Sequence, residues 1–475
     1  MTLRWVVRPN IYYDSVKLMR VSEALSNLPG VVRAAAVMAT PLNLELLTGD
    51  NLLPAGQFTP DDLLISIRSD DDAAADAALA ASDAMLTAAP APGIESTSLP
   101  LFHALEQSAP PANVAIIAVP GPSATVEALA AIRAGLHVFL FSDNVSLEHE
   151  VQLKRMAAPK NLLVMGPDCG TSILQGVGFG FANRVEAGPV GIVGASGTGI
   201  QQVCCLLDEI GIGIRQAIGT GGRDLSAAVG GMSTAQALRF LDADPHCEIL
   251  LIVSKSPDGD AAIRLHDHLS RLSKPAVACL LGSSMKDRGN VRYARTLTDA
   301  ARLVAENLAL RAGDRWTADS VPRHHPSFRS RVYGLFAGGT LCSEAELILD
   351  DMVVSHHLVD LGDDRYTQGR AHPMIDPRLR ASGLAELGRH ADAGAVLFDV
   401  VLGDLAHPDP AGAVIPALRE LSGYSKVHLV ASLIGSRRDP QNVDAQRSAL
   451  EQEGVHVFSS NAAAAAAAGA LVGGA

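Results

Sequence analysis

Apolar residues recur along this chain in two rhythms. Short runs are bounded by glycine and proline, and longer stretches carry apolar residues three or four apart. Residues 4–12, RWVVRPNIY, predict a strand. DSVKLMRVSEALSNLPG predicts a helix with Asp14 as N-cap, Val16, Met19, Val21 and Leu25 at helical spacing, and a stop at Pro29-Gly30. Strands at 31–40 and 62–69 and the helix DDAAADAALAASDAML complete the series. Strand, helix, strand, strand, helix is the cadence of a ferredoxin-like α+β domain over 1–98, whose expected job is packing or subunit contact.

From 99 to 187 the rhythm changes. NVAIIAVP, LHVFLFSD and LLVMGPD are apolar on both faces and alternate with helices, which predicts a parallel, doubly wound Rossmann-type sheet covered on two sides. Its ligand edge would lie at 119–124 and 141–146, although no G-x-G-x-x-G fingerprint is present and the first strand-turn-helix unit is missing. Residues 188–312 and 331–475 repeat the same strand and helix pattern. Between them 313–330, polar and proline-bearing, is expected to be a linker. The fold class is therefore α/β and multidomain, with the α+β domain in front. The alanine-rich tail is expected to be a terminal helix that frays into a disordered end.

Composition narrows the partners. With 475 residues, 48% hydrophobic and 19% charged, the chain can bury several cores. A net charge of -13 argues against a nucleic-acid binder and leaves small anionic substrates, since a local pocket need not share the global sign. Cys169, Cys204, Cys205, Cys247, Cys279 and Cys342 show no metal-ligand spacing and read as reduced, mostly buried thiols, so neither a metal nor a disulfide framework is expected. The N-terminus has no signal-peptide pattern and no stretch approaches about 18 apolar residues, so a cytoplasmic enzyme without membrane contact is expected.

The candidate chemistry starts at GASGTGI, residues 194–200. Gly194, Gly197 and Gly199 allow positive φ and close backbone approach, and Ser196 and Thr198 can cap a helix starting near Ile200. A helix N-terminus offers free N–H groups and partial positive charge to an anion; no G-K-[ST] follows, so this is not a Walker sequence. Gly338, Gly339 and Thr340 in GGTLCSEAE have the same build, and the two turns could face one another across a shared anion site. Arg223 in GGRDLS and Lys255 in SKSPDG lie on neighbouring strand-end loops and are expected to point toward the Ser196 turn. The plain alternatives are helix caps for the turns and surface salt bridges for the cations. Asp143 and Asn144 in FSDNV either cap a helix or bind substrate.

These turns, with FSDNVSLEHEVQLK, LLVMGPDCGTSI, IGTGGRDLS and DLGDDRYTQGRAHPMIDP, resemble the succinyl-CoA synthetase superfamily and, within it, the FdrA family. The resemblance covers most of the chain. It implies an FdrA-specific domain at 1–98, a CoA-binding-like domain at 99–187, and two flavodoxin-like ligase domains, α-type at 188–312 and β-type at 331–475. In the synthetases two helix N-termini cradle the phosphate of a mobile phosphohistidine, and Ser196-Gly197-Thr198 matches the α-side cradle. Arg370, His372 and Asp376 take the place of the β-side loop, where His372 could equally be a satisfied loop histidine.

The departures redirect the function. Where the phosphohistidine belongs, SSMKDRGNVRYARTL (283–297) contains no histidine. The glycine-rich CoA loop is absent and no ATP-grasp domain precedes the fourth block, which leaves CoA and ATP use in doubt. FdrA proteins include subunits of an oxamate carbamoyltransferase of allantoin catabolism, which converts oxalurate and phosphate to oxamate and carbamoyl phosphate. The resemblance thus implies a carbamoyltransferase subunit with phosphate or carbamoyl phosphate as substrate, no required cofactor, and other carbamoyltransferase subunits or copies of itself as partners. An acyl-CoA synthetase of the succinate–CoA ligase type, with His372 as the remaining phosphoryl carrier, and a non-catalytic scaffold subunit are the alternatives.

Overall fold

Runs of valine, isoleucine and leucine form the strands, and the stretches of helical period between them form the helices. The computed structural model describes residues 2–473 apart from 88–104, 106–110, 311–315, 317–330 and a few gaps of one or two positions. Asp14, the boundary at 98–99 and, Trp316 aside, the linker at 313–330 lie outside the described residues. The chain divides into two compact units, 1–104 with 364–372 and 105–363 with 373–475. Residues 364–372, expected inside the β-type domain, thus belong with the N-terminal unit.

In that unit β1 (Thr2–Arg8), α1 (Ser15–Ser26), β2 (Val31–Met38), β3 (Leu63–Ser69) and α2 (Asp72–Thr87) follow the predicted order. The sheet runs β1-β3-β2 with β3 antiparallel to both neighbours, a split β-α-β arrangement. Leu18, Val21 and Leu25 on one face of α1 pack on Leu63, Ile65 and Ile67.

Among the described residues the larger unit holds three sheets. The smallest is parallel: β4 (Val114–Ile117), β5 (His137–Leu140) and β6 (Val164–Met165). The next comprises β7 (Thr171–Leu174), β8 (Val177–Gly180), β9 (Ala187–Gly194), β10 (Ile214–Gly219), β11 (Ile249–Lys255), β12 (Ala276–Leu281) and β13 (Val291–Ala294), in the order β13-β12-β11-β9-β10-β7-β8. Its five strands β9–β13 are parallel, and the β7–β8 hairpin adds to the β10 edge antiparallel. The last sheet, all parallel, has the order β15-β14-β16-β17-β18, from β14 (Arg331–Phe336), β15 (Ser355–Asp360), β16 (Ala393–Val401), β17 (His428–Ile434) and β18 (Val455–Phe458). Both parallel cores read second, first, third, fourth, fifth, the flavodoxin-like winding. Such an order puts a switch point beside the first strand of each, at the carboxyl ends of β9 and β14.

Five helices of this unit bear on the site: α3 (Leu147–Ala157), α4 (Gly197–Glu209), α5 (Leu297–Asn307), α6 (Gly339–Asp351) and α7 (Asn461–Leu471). The last corrects the expectation of a fraying tail. Ala464, Ala465, Ala467 and Ala468 are fully buried, because an alanine helix is thin and apolar all round and admits neighbours on every side. Its start is held by polar contacts. Ser460 Oγ accepts from Ala463 N, Asn461 N donates to Gln202 Oε1, and Asn461 Nδ2 donates to Leu341 O and Glu344 Oε2. One hydrophobic cluster runs from Ile200 and Val203 of α4 through Leu341 of α6 to Ala464 of α7. All six cysteines are free and buried, and burial pushes the Cys169 thiol up to about 12. No described helix is long and apolar enough to cross a membrane.

Candidate functional site

β9 ends at Gly194 and α4 begins at Gly197, three residues earlier than expected, so the cap is Ser196 alone and Thr198 lies in the first turn. Ser196 Oγ accepts from Gly199 N at 2.9 Å and donates to Thr340 Oγ1 at 2.6 Å. Thr340 is in the first turn of α6, so the two helix N-termini meet directly. Glycine is needed here for room: none of Gly194, Gly197 and Gly199 has the positive φ that the sequence suggested. A Cβ on Gly338 would lie 2.8 Å from Thr198 Oγ1, and one on Gly199 would lie 2.5 Å from Ser196 Oγ. The amides of Gly197, Thr198, Gly339 and Thr340 sit in first turns, where no intrahelical carbonyl can accept them. Beside Gly197, Thr171 Oγ1 is buried without a hydrogen-bond partner, 3.5 Å from where a Gly197 Cβ would stand.

The α6 side differs in chemistry from the α4 side. Gly338 cannot cap with a side chain, and a carboxylate from the sheet takes that role. Asp399 of β16 accepts from Ala337 N and Gly338 N, each at 2.8 Å. Asp399 is fully buried, and Arg380 Nη1 donates to its Oδ1 at 3.0 Å and to its carbonyl at 2.6 Å. Burial pushes the Asp399 carboxyl up while Arg380 and the two amides pull it down. Asp360, the last residue of β15, stands next to Gly339, and Lys255, the last residue of β11, reaches the same spot. Burial raises the Asp360 carboxyl to about 6 against the pull of Gly362 N and Lys255.

Of the residues singled out from sequence, Ser196, Gly197, Thr198, Gly199, Gly338, Gly339, Thr340 and Lys255 come together here. Arg223 does not turn to Ser196. Its Nε donates to Glu150 Oε2 at 3.1 Å and its Nη2 to the Val145 carbonyl at 2.7 Å, because the fully buried Glu150 of α3 draws cations to itself. Lys154 completes that cluster, donating to Glu150, Asp224 and the Thr220 carbonyl. Asp376 is paired with Arg378, which outweighs the effect of burial and holds its carboxyl below the ordinary carboxylate value. Arg370 and His372 belong to the N-terminal unit, where Arg370 Nε donates to Asn43 Oδ1. Asp143 and Asn144 are not the cap of α3, which is Ser146; their carbonyls crowd Gly121 instead. Thr171, Asp360, Arg380 and Asp399 escaped the sequence reading. Thr171, Asp360 and Asp399 lie in strands and Arg380 in the helix Arg378–Leu387, and partners distant in sequence, invisible in one dimension, decide their roles.

A family model described as AllF, heavy metal-associated domain, matches residues 1–98, and a CoA-ligase model matches residues 335–471. The uncharacterized protein YahF of Escherichia coli is 35% identical over 97% of this chain and 97% of its own. The chain belongs to the FdrA-like family. Within the wider superfamily, this FdrA-like chain is 26% identical to the α subunit 1 of a succinate–CoA ligase of Archaeoglobus fulgidus, over 45% of this chain and 74% of that one. Among solved structures, the apo dinucleotide-forming acetyl-CoA synthetase 1 of Ca. Korarchaeum cryptofilum covers 76% of the FdrA-like chain and 82% of its own at 18% identity and a TM-score of 0.34. By the CoA-ligase match and the succinate–CoA ligase likeness in sequence, the family is of the succinyl-CoA-synthetase-like, acyl-CoA synthetase type. Residues 1–98 contain neither cysteine nor histidine, so the thiolate and imidazole ligands common at transition-metal sites are absent from the domain that bears the heavy-metal name.

Proposed function

We propose that this FdrA-like protein is a cytoplasmic carbamoyltransferase subunit of the oxamate type, moving the carbamoyl group of oxalurate onto inorganic phosphate and releasing oxamate. The observation that carries this reading is the direct contact of the two first turns through Ser196 and Thr340, in a chain whose 283–297 segment has no histidine to bear a phosphoryl group. First-turn amides of Gly197 and Thr198 suit a phosphate that arrives from solution. Lys255 adds a cation, and the same donors would stabilise the oxyanion that develops as phosphate attacks the carbamoyl carbon. Nothing in that chemistry calls for CoA, ATP or another cofactor. The partners are other carbamoyltransferase subunits or further copies of this chain.

A second reading, acyl-CoA ligation, is favoured by the CoA-ligase match at 335–471 and the succinate–CoA ligase likeness. One experiment separates the two. The intact chain with its partner subunits, supplied with oxalurate and phosphate, is expected to form carbamoyl phosphate. Formation of acyl-CoA from ATP, CoA and a carboxylate, with a labelled phosphoenzyme and no carbamoyl phosphate, would replace the first reading by the second.

A further inference from the structure

The densest unexplained chemistry in the larger unit is the carboxylate and ammonium at Gly339. Asp360 Oδ1 accepts from Gly362 N at 2.9 Å, which fixes the carboxyl plane. Oδ2 then lies 2.3 Å from the point where a Cβ on Gly339 would be, and Lys255 Nζ lies 3.5 Å from that same point. Gly339 is not in the left-handed region, so it serves there to leave room between an acid and a base. The space opens at the first turn of α6, one residue from the Thr340 hydroxyl that Ser196 contacts.

We propose that Asp360 is the proton-transferring residue of this site, working beside Lys255 in the space that Gly339 leaves open. The proposal rests on the carbamoyltransferase reading. In the transfer, an oxygen of hydrogen phosphate bonds to the carbamoyl carbon and the bond from that carbon to the oxamate nitrogen breaks. Asp360 takes the phosphate proton and delivers it to the departing nitrogen, so one proton passes from phosphate to oxamate and the carboxylate is regenerated. Burial raises the Asp360 carboxyl to about 6, closer to neutrality than an ordinary aspartate, which suits such a relay. The charged and titratable groups that face it are Lys255 from β11, Asp399 from β16, Asp363 from its own loop, and the Cys342 thiol of α6.

The test has two arms on the intact chain. Sulfate, a dianion at every pH between about 5 and 8, probes the site without titrating itself. Calorimetry is expected to show wild-type affinity falling about tenfold per pH unit above the Asp360 transition, since the anion favours the protonated acid. Asp360→Asn is expected to bind at least as tightly with no pH dependence, and Lys255→Met to shift the transition upward. A slope that survives in Asp360→Asn overturns the proposal. In the second arm, with partner subunits, oxalurate and phosphate, Asp360→Asn is expected to lose about 10²–10⁴-fold in kcat while KM for phosphate stays level or drops. Undiminished kcat overturns the proposal. Should wild type make no carbamoyl phosphate while the sulfate linkage vanishes in Asp360→Asn, the functional reading falls and the proton exchange between Asp360 and a bound anion stands.

Discussion

Asp399 gives α6 an internal anion, and that single carboxylate governs what its turn can offer a ligand. With Ala337 N and Gly338 N already taken, only the amides after them face outward. Removing the partner of this buried charge should be costly: Arg380→Met is expected to destabilise the larger unit by about 3–5 kcal/mol, read by urea unfolding. Ser196→Ala, which deletes a cap and a buried hydroxyl contact, is expected to cost about 1–2 kcal/mol in the same measurement. Gly339→Ala separates folding from binding. Its backbone tolerates alanine, so the unfolding midpoint should move little, whereas the new methyl fills the space between Asp360 and Lys255 where the anion would sit, and sulfate or phosphate affinity should drop by at least tenfold. At this scale the glycine–hydroxyl turns were legible because cap chemistry is local. Arg223 was not, because Glu150, the acid that captures it, sits on a helix 73 positions away.

Helix α7 is the element whose sequence misled most. Seven consecutive alanines carry no amphipathic signal, so the pattern cannot tell a solvated end from a core helix. The deciding information lies in its neighbours: Gly469 lets Met352 approach, and Asn461 locks the first turn to α4 and α6. Overfilling it should reveal that packing. Ala465→Leu is expected to cost about 1–3 kcal/mol in thermal or chemical unfolding, where an exposed alanine would tolerate leucine freely. The strands were easier. Apolar runs between glycine-rich stops gave the parallel sheets, and the flavodoxin-like winding of the two larger ones was implied only by the resemblance, while the β7–β8 hairpin, whose eight strand residues include one threonine and two glycines, gave too little apolar signal to stand out.

Across the larger unit, Glu344 ties three helices into one titrating junction. Its carboxylate accepts from Leu297 N at the start of α5 and from Asn461 Nδ2 of α7, and burial pushes it up to about 7. Because the folded state binds this proton more tightly than the unfolded chain, the contribution is present in full below about pH 4.5 and is lost as pH rises through about 7. Glu344→Gln is expected to remove a decline on the order of 3 kcal/mol from stability measured across that window. The domain plan was legible only where strands repeat; that 364–372 belongs with the N-terminal unit could not be read from a stretch without periodicity. The contact of Ser196 with Thr340 has a kinetic consequence of its own. Both hydroxyls ride on one polypeptide within one continuous core, so their encounter is a first-order event. Dilution leaves the fraction of chains in which the two turns meet unchanged, and sulfate bound per chain at a fixed sulfate concentration should stay constant down to concentrations at which separate halves would part.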